Sequence, residues 1–143
     1  MANCKAGLYQ QLQQVCETNR FAALLGMEVA KLGEKEATLI IPVISEKHTN
    51  YDGFIHGGVL STMADMAMGV ACATIGKRIW TIEMNTNFIK NVTKGQITAV
   101  GKVIHDGKIT MVAEAEIWDE EQNLLVKGRG TFYVCGYFEE SNL

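Results

Sequence analysis

Asn50-Tyr51-Asp52-Gly53-Phe54-Ile55-His56-Gly57-Gly58-Val59-Leu60-Ser61-Thr62-Met63-Ala64-Asp65 sets a glycine-rich turn directly against an apolar segment that holds one carboxylate. The segment continues as Met66-Ala67-Met68-Gly69-Val70-Ala71-Cys72-Ala73-Thr74-Ile75-Gly76, rich in alanine and methionine, which favour a helix over a strand. The first turn of such a helix presents unpaired N–H groups at a positive dipole end. Glycines there let a ligand oxygen approach, so the turn suits an anion or a developing oxyanion.

Asp65 is the natural partner for attack on a group held at that turn. Eight residues of helix separate it from Gly57, however. That is a rise of about 12 Å, too far for both to flank one carbonyl carbon. A second copy of the helix, antiparallel across a dimer axis, would bring Asp65 of one chain beside Gly57 of the other. The expected site is shared between subunits.

Outward from this segment the pattern changes period. Before it, Lys5 to Glu17 reads as a short amphipathic helix with an apolar lead-in at Phe21 to Leu25, ended by Gly26. Met27 to Leu32 and Ala37 to Ile44 read as strands around a turn at Gly33-Glu34-Lys35. After it, Trp80, Ile82 and Met84 alternate with Thr81, Glu83 and Asn85. Ile109, Met111, Ala113, Ala115 and Ile117 repeat the alternation, and Leu124 to Val134 closes the series. His105-Asp106-Gly107-Lys108 is a good hairpin signal. One antiparallel sheet curled round one long central helix, an α+β fold filling residues 1–143 as one domain, accounts for the pattern.

Asn50-x-x-Gly53-x-x-His56-Gly57-Gly58, followed by Ala64-Asp65 and the strand-like Thr81-Ile82-Glu83-Met84-Asn85, resembles the PaaI-type acyl-CoA thioesterases of the hotdog fold. The likeness runs from about Gly26 to Val134. Dehydratases on the same fold carry a His-Phe-Pro stretch before the helix, whereas the only proline here is Pro42. The resemblance implies hydrolysis of an acyl- or aryl-CoA to free acid and CoA, with no metal and no cofactor beyond the coenzyme A of the substrate. It implies that the Gly57 amide polarises the thioester carbonyl, with Gly58 as its support. Asp65 acts as nucleophile or as general base for water. Asn50 orients the acyl group or lines the pocket, and Thr81 positions water or the acid.

His56 either binds substrate or stabilises the loop with its ring, the second being favoured. Lys90 and Arg129 rank first among the basic residues that would meet the CoA phosphates. The proline usual after the third strand is replaced by Asn91-Val92, which alters the loop beside Lys90. Met63, Met66, Met68, Leu60 and Phe54 are expected along the acyl pocket. Cys72 reads as core, and His48 and His105 as ordinary loop residues.

Composition narrows the field further. Sixteen acidic residues against thirteen basic ones leave no general basic field for nucleic acid. Cys4, Cys16, Cys72 and Cys135 form no C-x-x-C pair, which speaks for free thiols in a reducing compartment and against zinc. No basic region precedes a long apolar run at the N-terminus, so a secreted protein is not expected. The run from Ile55 to Ile75 has the length of a membrane span, but its glycines and its place among alternating strands favour a buried core helix. A cytoplasmic homodimer, with a homotetramer as its further pairing, is the expectation. Two rival readings differ in their products: an acyl-CoA-binding module would release no CoA, and an enoyl-CoA hydratase would consume a conjugated double bond.

Overall fold

The computed structural model describes residues 2–138. Three short helices, α1 (Ala2–Gln13), α2 (Val15–Thr18) and α3 (Arg20–Leu24), lead into β1 (Glu28–Gly33) and β2 (Glu36–Ile41). The long helix α4 (Gly57–Ala73) follows, then β3 (Lys77–Phe88), β4 (Ile97–Asp106), β5 (Thr110–Asp119) and β6 (Leu124–Tyr137). All strands join one antiparallel sheet in the order β1-β2-β4-β5-β6-β3. The α+β hotdog arrangement read from the sequence is the one observed.

The sheet buries one face against α4. Leu39 and Ile41 of β2, Ile97 and Ala99 of β4, Met111, Ala113, Ala115 and Ile117 of β5, and Phe132 of β6 are all buried. Alternation with period two puts them on one side, as the pleat requires. The helix comes close enough that a Cβ at Gly101 of β4 would lie 2.2 Å from the Ala67 carbonyl oxygen. Only a glycine admits this approach.

Four sequence expectations shift in detail. The amphipathic helix expected over Lys5 to Glu17 is broken at Gln14, between α1 and α2, and Asn19, whose ψ of 109° is extended, accepts the Ala22 N–H with its side chain to cap α3. β2 ends at Ile41 rather than Ile44, because Pro42 has no N–H to give the ladder. The expected phase of β3 fails between Thr81 and Glu83, where a bulge inserts an extra residue. Trp80 and Ile82 are therefore 68% and 57% exposed, while Thr81 turns towards α4. Ile109 precedes β5 and is exposed instead of continuing its buried row.

No helix among the described residues is long and apolar enough to cross a membrane. Cys16, Cys72 and Cys135 are free thiols; the side chain of Cys4 lies outside those described. Burial pushes the Cys72 thiol up to about 12, in keeping with a core residue rather than a nucleophile.

Candidate active site

α4 begins where a tightly bonded loop delivers it. His48 is 2% exposed, and its Nδ1 accepts the Ser45 N–H at 2.9 Å. That leaves Nε2–H to donate to the Leu25 carbonyl at 2.6 Å, tying the loop to the end of α3. The His48 carbonyl in turn accepts the His56 N–H at 2.7 Å. Sequence reading took His48 for an ordinary loop residue; it is a buried anchor of the loop that aims the helix.

Asn50 shapes the same loop. Its side-chain oxygen accepts the N–H groups of Asp52 at 3.0 Å and Phe54 at 3.1 Å, while Gly53 takes a φ of +83°. His56 is the N-cap of α4, and its Nδ1 accepts the Gly58 N–H at 2.8 Å. Gly58 is thus satisfied within the chain. Among the described residues no acceptor faces the Gly57 N–H, which opens on a cleft of about 270 Å³ with Leu60, Phe88, Ile89, Lys90 and Asn91.

Asp65 sits two turns further along α4, half-buried. The Thr81 hydroxyl donates to its Oδ1 at 2.7 Å, which leaves Oδ2 as the oxygen free to act. No lysine or arginine among the described residues forms an ion pair with it. Asp65 and Thr81 open on a second cavity of about 430 Å³. Gly57 and Asp65 of one chain therefore face different cavities.

The remaining candidates divide. Lys90 borders the Gly57 cleft. Arg129 is not brought to either cavity. It alternates on β6 with Gly128 and Gly130, whose Cβ positions face inward, and its Nη2 donates to Glu114 Oε1 at 2.7 Å on the outer face of the sheet. Of the expected acyl-pocket residues, Met63 and Met68 are fully buried between α4 and the sheet, whereas Met66 borders the Asp65 cavity and Leu60 the Gly57 cleft. The helix presents different sides to core and cavity, so a run of methionines in sequence is not one wall. Among the described residues no group of three or more His, Cys, Asp or Glu is gathered to hold a metal ion.

A bare amide at a helix start and a hydroxyl-held carboxylate are set in the core of a hotdog-fold thioester hydrolase. The sequence pattern of the thioesterase superfamily matches residues 52–126, and the chain belongs to that superfamily, on its PaaI-type branch. The chain is 30% identical over 113 residues to the 1,4-dihydroxy-2-naphthoyl-CoA hydrolase of Listeria monocytogenes, an alignment covering 77% of this chain and 91% of that one. It is 26% identical over 129 residues to the acyl-coenzyme A thioesterase PaaI of Escherichia coli, covering 90% and 91%. The E. coli PaaI structure superposes with a TM-score of 0.86 at 25% identity, covering 94% of this chain and 97% of that one. A thioesterase of Haemophilus influenzae superposes at 0.81 with 27% identity, covering 91% and 92%.

Proposed function

We propose that this thioesterase hydrolyses acyl-CoA at a site built by two copies of the chain, the partner's Gly57 and this chain's Asp65 flanking the carbonyl. The observation that carries the reading is the separation of the Gly57 amide and the Asp65–Thr81 pair into two cavities of one chain. Neither cavity alone holds both an oxyanion donor and a carboxylate.

The fold supplies surfaces for such a pairing. Gly58, Ser61, Thr62, Asp65, Met66 and Gly69 form the side of α4 left partly open by its own sheet. β3 is an edge strand bonded on one side only, to β6. For the partner's Gly57 to meet Asp65 with the helices antiparallel, the two-fold axis must pass Ser61. Phe88 accompanies Gly57, as its ring lies 3.5 Å from where a Cβ on Gly57 would be. Thr81 accompanies Asp65. The axis then crosses β3 between Met84 and Asn85, with the two edges running antiparallel. Pairing of dimers into a homotetramer would use other faces.

In this site the thioester oxygen accepts the Gly57 N–H at the positive end of α4. Asp65 Oδ2 takes a proton from water as the water oxygen bonds to the carbonyl carbon. The tetrahedral oxyanion collapses, expels the CoA thiolate, and the proton passes to the sulfur. Direct attack by Asp65 would form a mixed anhydride instead. Label in the Asp65 carboxylate after a single turnover in ¹⁸O-water would establish the anhydride route, with water opening the anhydride at its Asp65 carbonyl. Asn50 holds the loop through its oxygen, leaving its Nδ2–H groups for an acyl oxygen. Lys90 beside Gly57 serves the CoA phosphates. The free thiols suit a reducing, cytoplasmic setting.

Free-CoA release tests the reading. Asp65→Asn and Gly57→Pro are each expected to lose about a hundredfold or more of CoA release, and a hybrid of the two single variants to regain activity, because one of its two sites keeps both groups. A hybrid of wild type with the double variant holds neither intact pair in a shared site. Restoration by the first hybrid and not by the second supports the shared site. Binding of acyl-CoA without release by wild type overturns the hydrolase mechanism.

A further inference from the structure

If Asp65 and Thr81 meet the carbonyl, the rest of the acyl group leaves along whatever path begins there. One such path lies within the chain. Asp65, Met66, Gly69, Val70 and Ala73 fall on a single side of α4, and with Ile79 of β3 they line the 430 Å³ cavity as a trough. From Asp65 to Ala73 the helix rises about 12 Å, the scale of a medium-length acyl chain.

Along α4 beyond Asp65 and at Ile79 the lining is apolar, while Asn19, Lys77, Arg78 and Thr81 add polar groups to it. Its one lysine, Lys77, is already committed: its Nζ pairs with Asp106 and donates to the Gly107 carbonyl at 2.7 Å. The far end is formed by Leu12 of α1, Val15 of α2 and Phe138 beyond β6. Those three residues lie outside the span 52–126 that carries the superfamily match. Asp65 and Thr81, which do the chemistry, lie inside it.

We infer that this trough takes an apolar acyl group and that Leu12, Val15 and Phe138 set how long it can be. The inference rests on the acyl-CoA reading of the same site. Gly69 lies midway between Asp65 and Ala73 on the helix wall of the trough. A Cβ there would sit 3.6 Å from Ile79 Cδ1, so a methyl fits and a longer side chain fills the passage.

The test is kcat/KM for CoA release from acetyl-, hexanoyl-, decanoyl- and hexadecanoyl-CoA. Val15→Phe is expected to lower the ratio of decanoyl to acetyl turnover roughly tenfold or more, and Leu12→Ala to shift the optimum to longer chains. Gly69→Leu should leave acetyl-CoA as the best substrate. A variant that is merely less stable loses activity on every chain length alike, so the ratio separates specificity from folding. Unchanged ratios in both Val15→Phe and Leu12→Ala overturn the inference while leaving the hydrolase reading intact. Failure of wild type to release CoA from any substrate overturns the reading on which it rests.

Discussion

The two faces of the sheet use the same residue types to opposite ends. On the outer face Glu114 and Glu116 of β5 stand directly across from Arg129 and Lys127 of β6, and each carboxylate has a cation within bonding distance. On the helix side one carboxylate, Asp65, has a hydroxyl for its partner. A carboxylate with a cation is spent on holding strands together, and exposed pairs of that kind contribute little. A carboxylate held in place by one hydroxyl, with its second oxygen open to a cavity, keeps its capacity to accept a proton. The difference lies in partners, not in residue type.

The sharpest way to break the comparison is to remove that capacity at one atom. Asp65→Asn keeps the shape and the Thr81 bond but cannot accept a proton, and kcat for CoA release is expected to fall about 10³- to 10⁴-fold, the scale of a lost general base. A folded variant with near-normal kcat would place Asp65 with the structural carboxylates of the outer face. Gly57→Pro removes the opposing donor. Proline is favoured at the first helical position, and His56 before it already has the extended φ of −68° and ψ of 135° that a following proline requires. The helix should therefore persist while kcat falls about 10²- to 10³-fold, with circular dichroism and CoA release as the paired measurements.

Thr81→Val sharpens the comparison by removing only the partner. The expected loss in kcat is about tenfold, near 1.4 kcal/mol, with Thr81→Ser recovering most of it. Recovery by serine separates the hydroxyl bond from simple packing. If Thr81→Val loses stability and no activity, the bond is a fastening like those on the outer face.

Much of this was legible in the chain, for definable reasons. The helix that carries the glycine motif and Asp65 was legible from its composition, and its rise alone set Gly57 and Asp65 about 12 Å apart. The buried rows of β2 and β5 followed from plain alternation. The placement of Thr81 was less accessible, since alternation set it beside Glu83 and Asn85, and a bulge at Ile82 reversed its side. The ion pair of Arg129 was hidden for a related reason: its partner Glu114 lies on another strand, fifteen residues away, and only the register brings them opposite. His48 was invisible because its burial depends on the Leu25 carbonyl, twenty-three residues distant. Local pattern reports local structure; tertiary partners need the fold.

The smallest effect is expected where the charges are paired. The Arg129 guanidinium bonded to Glu114 holds its carboxyl below the usual carboxylate range, against a partial upward push from burial and with help from Lys127. A carboxyl whose value is lower folded than unfolded adds stability that is complete above its unfolded value, about 4.3, and is lost as pH falls through the folded one. Glu114→Gln should therefore lower stability by less than about 1 kcal/mol at neutral pH and lose that deficit in acid, as denaturant titrations at both pH values would show. Its kcat should match wild type. A fall in kcat comparable to that of Thr81→Val would mean that the outer ladder reaches the site through β6 and β3, and the division of labour between the two faces would fail.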